Sequence, residues 1–259
     1  MPFTLAHPAA VLPLRHLRYL RTAPLIIGAM VPDVPDYLPH SFMEHFLRVQ
    51  THTLVGSYSV DLPLGVALLV LVVLLREPLT VLLPARARAL CLHALEPFRR
   101  SARDWLLAPP TIYLGILTHL LWDSFTHGDG WAVKHIAVLG ETVTIGSYSG
   151  EVCHVLQYLS SVIGLLIVAL WYRQLPTPQT AHGAEAARRA HAGPGLVLVI
   201  AAALLIGGVG AQRYYARSQG AIYRTLDELL SRSLAWFVLL DLGAGTIVSL
   251  EHRAARHPP

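Results

Sequence analysis

The segment His119-Leu-Leu-Trp-Asp123-Ser-Phe-Thr-His127 sets an imidazole, a carboxylate and an imidazole at i, i+4 and i+8 near the end of an apolar run. On a helix, residues four apart stand one turn above another, so the spacing predicts three side chains on one face, turned toward a common cation. Imidazole with carboxylate suits zinc, manganese or iron, while carboxylate oxygens also serve magnesium. Taken singly, each residue reads as readily as a helix cap or a solvated end group. Three in register point to a divalent metal.

Further candidates precede the first long apolar run. His7 stands before Pro8, Val31-Pro-Asp33-Val-Pro-Asp36-Tyr37 is a proline-braced turn with two carboxylates, and Thr51-His52-Thr53 sits where the run begins. Pro32 and Pro35 fix φ and remove backbone donors, so Asp33 and Asp36 are expected in a rigid segment of the kind a metal site requires. Capping the turn is the competing use of either carboxylate. His40, Glu44 and His45 follow, with His45 read as part of a solvated helical face. His154 and Gln157 lie a turn apart where a later apolar run opens, either contacting substrate or acting with Ser160, Ser161 and Gly164 as polar contacts between helices. The expected ligands are His7, His119, Asp123 and His127, with His52 as a further one. Asp33 and Asp36 are expected as further ligands or ligand-orienting groups and as the catalytic carboxylates, Asp36 as general base, and Tyr37, His154 and Gln157 as the substrate contacts.

The elements that must position these groups are set by composition. The chain has 259 residues, 54% hydrophobic and 14% charged, with a mean hydropathy of +0.49. That is too apolar for an ordinary soluble domain and indicates an integral membrane protein. Cys91 and Cys153 are far apart with no CxxC spacing, which indicates neither a thiolate zinc site nor a disulfide framework, so both are expected as free thiols. The net charge of +4 comes from arginines beside apolar runs, not from an aromatic-interleaved basic patch, so no nucleic-acid partner is expected. The N-terminus lacks the basic start and long apolar core of a removable signal peptide.

Five segments approach the roughly 20 helical residues that cross a hydrocarbon core: about 53–75, 105–122, 152–172, 195–211 and 233–250. The second is short and polar because of Pro109, Pro110, Thr118 and His119. Pro24 to Met30 is apolar but too short to cross, and reads as a buried or re-entrant piece. Arg15, Arg18 and Arg21, with Leu14, Leu17 and Leu20 between them, suit a helix in the headgroup plane. The expected class is therefore an all-α polytopic membrane bundle of about five transmembrane helices plus short interfacial or re-entrant helices. It reads as one membrane domain over 1–259, divided into a motif segment (1–52), core spans (53–172), a flexible Pro/Ala/Gly-rich connector (173–194) and two C-terminal spans (195–259). Asp241, inside the last span, is a costly carboxylate and so is expected to be paired or functional.

Topology ties the candidates together. The first span starts after His52 and the second ends near His119 to Asp123, and two antiparallel crossings return the chain to its starting side. His7, Asp33, Asp36, His52, His119, Asp123 and His127 are thereby expected at one membrane face. Six arginines (Arg76, Arg86, Arg88, Arg99, Arg100 and Arg103) follow the first span, whereas only Lys134 lies between Asp123 and Glu151, which puts the site on the extracytoplasmic side of the plasma membrane.

These landmarks, namely MPFTLAHPAAVLPLR, VPDVPDYL, THTLVG, THLLWDSFTH and LQYLSSVIGLL, together resemble a bacterial integral-membrane family catalogued as domain of unknown function 4184. The Pro-Asp turn and the His-x3-Asp element are more distantly similar to those of bacterial membrane-bound metal-dependent hydrolases and zinc-dependent phospholipases C. That resemblance implies a divalent metal held by His and Asp and the hydrolysis of a phosphoester or similar bond. The sequence-based expectation is a metal-dependent hydrolase acting on an amphiphilic, phosphate-containing substrate at the bilayer. The alternatives are a Mg-dependent enzyme acting on an isoprenoid diphosphate and a non-catalytic transport or assembly protein; the chain shows no internal repeat of the kind paired transporter halves carry.

Overall fold

A computed structural model of the chain describes residues 3–37, 51–146, 148–176, 185–217 and 222–256. Five of its helices are long and apolar enough to cross a membrane: Leu54–Leu74, Ala102–Thr126, Val152–Gln174, Gly193–Gln212 and Arg232–Leu250. They make the protein a multi-pass, all-α membrane bundle. The last two lie inside longer helices, Glu185–Arg217 and Ile222–Arg256. The fourth span's helix thus begins within the segment expected to be a connector. The one sheet among the described residues is a hairpin, Thr142–Ile145 paired antiparallel with Tyr148–Glu151, whose turn uses Gly146 at φ 60°.

The chain groups into two compact units. The first contains Met1–Pro35, His45–Val70 and Arg100–Pro176. Its centre is the second span, which Ser101 caps by accepting a hydrogen bond from the Asp104 amide. Its buried face runs through Ala108, Ile112, Gly115, Ile116, His119 and Asp123, at spacings of three and four that keep one stripe inward. Pro109 and Pro110 do not end this helix, which is longer than expected and carries His119 and Asp123 within its last two turns.

Against that stripe packs the short apolar helix Thr22–Met30. The approach is close because both sides are glycine: a Cβ on Gly28 would meet the Ile112 carbonyl, and one on Gly115 would lie 2.8 Å from the Ala29 nitrogen. Val11, Leu25 and Ala29 form the core beneath. The N-terminal turns then reach the third span, where the Phe3 amide donates to Ser161 Oγ (3.0 Å) and Ala6 presses against Gly164. The helix expected in the headgroup plane around Arg15, Arg18 and Arg21 does not form. A 3-10 turn, Leu12–His16, starts with Pro13 in its first turn and ends with Leu17 extended. Arg21 pairs with Asp104 (Nε to Oδ1 2.6 Å), Arg15 lies over Trp171 and Arg103 over Tyr19, so specific partners replace amphipathic periodicity.

The second unit contains Asp36–Glu44, Leu71–Arg99 and Thr177–Pro259. Its core joins Val81, Leu82 and Val199 with Phe237 and Leu240. Gly207 meets Ser233 where the last two spans cross. Asp241 is buried here, its Oδ1 making no hydrogen bond among the described residues.

Candidate metal centre

Four residues from three separated stretches of the first unit converge. Asp33, on the 3-10 helix Val31–Tyr37, and His52, just before the first span, meet His119 and Asp123 of the second span, and one ligand atom from each lies within 4.8 Å of all the others. Asp33, His119 and Asp123 are buried, while the His52 side chain is 32% exposed and forms the mouth.

The separations decide what the cluster can hold. His52 Nε2 and His119 Nε2 are 3.4 Å apart. Asp33 Oδ1 lies 3.3 Å from each of them, and Asp123 Oδ2 lies 3.1 Å from His119 and 3.6 Å from His52. Ligand atoms about 2.1 Å from a central ion at tetrahedral corners are about 3.4 Å from one another, close to these distances. The outer atoms fix the rings. His119 Nδ1–H donates to the Ala29 carbonyl (2.8 Å), which leaves the Nε2 lone pair facing inward. His52 Nδ1 is held by Thr51 Oγ1 (3.0 Å), and Thr4 Oγ1 donates to Asp33 Oδ2 (2.7 Å). The Gly28–Gly115 contact is what brings the Ala29 carbonyl within reach of His119.

His7 and His127 flank this group. His7 stacks on His119 with ring centroids 3.9 Å apart, and its Nε2 faces the outer carboxylate oxygens, 3.7 Å from Asp123 Oδ1 and 4.0 Å from Asp33 Oδ2. His127 does not continue the helical face expected of it. It is the C-cap, with extended backbone, because Gly128 and Gly130 follow directly, and its Nδ1 lies 3.1 Å from the Asp123 carbonyl. Among the described residues His7 Nε2, His127 Nε2 and both Asp123 carboxylate oxygens are buried without a hydrogen bond. Buried polar atoms left unpaired cost free energy unless a partner arrives, and a cation is the partner this set fits.

Electrostatics agree. Burial pushes the His7 imidazole down to about 4, so His7 stands neutral near pH 7 with a free lone pair. Burial lowers His127 as well. For Asp33, burial works upward, but hydrogen bonds from His119 and His52 outweigh it and hold the carboxyl well below its usual range. At His52, burial works downward and the Asp33 hydrogen bond more than reverses it, so its pKa is raised. Two ionised carboxylates among imidazoles match the charge of one divalent cation.

The other expected residues fall elsewhere. Asp36 continues the 3-10 helix, but its side chain lies outside the described residues, as do His40, Glu44 and His45. Tyr37 ends that helix. His154 stands with Glu151 and Cys153, a second group whose ligand atoms are within 4.8 Å of one another, and Gln157 is buried in the third span.

Two residues were missed. Thr4 carried no spacing signal. Asp61 did: it is a carboxylate inside the first span, fully buried, with neither oxygen hydrogen-bonded among the described residues, and it interacts electrostatically with His52, His119 and Asp33. It ends a π-helical turn, Ser57–Asp61, a widened turn that recurs at functional sites. An intramembrane Asp a few turns past a candidate ligand was the signal available.

No curated protein and no solved structure matches this chain. A family model described as domain of unknown function (DUF4184) matches residues 1–249. The landmark motifs and nearly all of the chain fall within that match, so the protein belongs to the DUF4184 family.

Proposed function

We propose that the protein is a membrane-embedded metal-dependent hydrolase that cleaves a phosphate-containing amphiphile at the bilayer surface. The observation that carries the reading is the Asp33–His52–His119–Asp123 cluster, with near-tetrahedral spacing and one half-open corner at His52. Two imidazoles and two carboxylates at these separations favour zinc, manganese or iron over magnesium, which prefers oxygen ligands in an octahedral set. That preference weighs for hydrolysis and against departure of a diphosphate. A divalent ion held there supplies Lewis acidity that polarises a phosphoryl oxygen and acidifies water.

The chain's own residues do the rest. The Ala29 carbonyl and Thr51 orient the two imidazoles, and Thr4 holds Asp33. Neutral His7 and the buried Asp61 carboxylate are groups among the described residues that can take and return a proton, and the exposed edge of His52 is where a headgroup enters. The arginine distribution supports an extracytoplasmic site in the plasma membrane.

The test is hydrolysis of a panel of glycerophospholipids and isoprenoid diphosphates in mixed micelles by purified protein loaded with zinc, manganese or magnesium. The reading predicts release of a phosphorylated headgroup or phosphate, lost with His119→Ala. Release of inorganic diphosphate alone, or no metal-dependent product from any substrate, contradicts it.

A further inference from the structure

Beside the cluster, a cavity of about 670 Å³ lies between the N-terminal turns, the end of the second span and the outer half of the third. Its polar end is made by His7 and Thr126, and it continues along Leu156, Ile163 and Ile167. We propose that this groove binds one hydrocarbon chain of the substrate lipid, with the polar head at the cluster. The proposal rests on the hydrolase reading for the position of the head, and it adds the chemistry of the tail.

Three observations carry it. His7 belongs to both places: its ring stacks on His119 while lining the cavity, so a molecule filling the groove ends against the cluster. Besides His7, the N-terminal turns line it only with Ala6, Ala9 and Ala10, side chains too small to fill the space, and apart from His7, Thr126 and Ser160 the lining is apolar or glycine. Finally, the lining stretch of the third span, Leu156 to Ile167, rises roughly 16 Å at 1.5 Å per residue, about half of a 30 Å hydrocarbon core. That is the depth of one leaflet, which suits a single tail entering beside its own headgroup. Ile163, at 53% exposed, leaves the groove open sideways to the bilayer, so a tail slides in without leaving hydrocarbon.

The test uses full-length protein stripped of metal in bilayer nanodiscs, with a phosphatidylglycerol probe carrying a diazirine in the middle of one acyl chain. After irradiation, adducts are mapped by peptide mass spectrometry in wild type, Ile163→Trp, Ala10→Phe and, as a lipid-facing control, Val197→Trp. The proposal predicts adducts concentrated in peptides spanning 6–10 and 156–167, reduced about tenfold by either groove-filling substitution, equivalent to about 1.4 kcal/mol of lost binding, and unchanged by the control. Adducts spread evenly over the exposed apolar faces, adducts indifferent to Ile163→Trp and Ala10→Phe, or closure of the groove by a second copy seen as protein–protein crosslinks, each overturns it. Should either filling variant fail to fold, the wild-type map alone decides. Because no metal is present, mapped adducts without later hydrolysis retire the hydrolase reading and leave the tail site standing, whereas hydrolysis without them does the reverse.

Discussion

At the scale of single residues, the four cluster members and their two flanking imidazoles have different duties, and substitutions separate them. His127 stands at a helix end and is tied to the Asp123 carbonyl. His127→Ala therefore retains bound metal, measured by elemental mass spectrometry, while weakening its affinity by about 10- to 100-fold, the size of an outer-partner effect. Asp61 has neither oxygen hydrogen-bonded among the described residues and lies in a membrane span. If its charge serves proton transfer, Asp61→Asn keeps metal content but lowers kcat; equal kcat in both proteins would assign Asp61 no part in the chemistry. The histidines also set a pH signature. His7 has a folded pKa near 4, below the usual 6.5, so on acidification the unfolded chain takes up a proton that the folded chain refuses. Metal-free protein should then lose thermal stability as pH falls from about 6.5 toward 4, and His7→Gln should flatten that slope. A slope unaltered by the substitution would place the titration elsewhere. Sequence spacing pointed to His7, Asp33, His52, His119, Asp123 and His127, because imidazoles and carboxylates beside apolar runs are conspicuous. The i+8 spacing does not carry the helix stop before Gly128, which makes His127 the C-cap rather than a third helical position, although its ring still lies beside Asp123.

Among elements, the decisive contact is between Thr22–Met30 and the second span. Gly28 and Gly115 allow backbones to touch there, and the contact sets the Ala29 carbonyl on His119 Nδ1. Gly115→Leu changes no ligand, yet it should force these helices apart, cost roughly 1–3 kcal/mol of stability and lower metal content together with the melting temperature. Unchanged metal binding in a folded Gly115→Leu protein would show that the close packing does not position the site. The five spans were legible from hydropathy, and their ends moved by only a few residues. The amphipathic N-terminal helix was not, because Pro13 and the partners Asp104 and Trp171 are tertiary and local-geometry effects that a leucine-arginine period does not carry. The 142–151 hairpin escaped notice for a similar reason: it is eight paired residues with a single turn glycine.

On the spans, large apolar side chains such as Leu106 (78% exposed), Val55 (75%) and Leu205 (72%) are exposed, as suits a surface that faces a bilayer. Arginine asymmetry across the loops gives an orientation that labelling checks. Cys91 is free and exposed in the arginine-rich stretch after the first span. A membrane-impermeant maleimide should reach it only in opened cells, whereas a cysteine placed by Trp131→Cys should label in intact ones; the opposite pattern would put the cluster on the cytoplasmic face. That candidate residues spread from 7 to 127 should meet at one face followed from counting crossings. Which four of them meet most closely did not, since that depends on a 3-10 turn and a glycine contact that no spacing rule expresses.

The central claim is that Asp33, His52, His119 and Asp123 together bind a divalent cation. The most direct measurement is the metal content, by elemental mass spectrometry, of detergent-purified wild type beside Asp33→Ala and His119→Ala, each checked for folding by size exclusion. The account predicts a divalent ion that copurifies with the wild type and is lost from both folded variants. Equal metal content in all three, or none that binds the wild type even after titration, would contradict it.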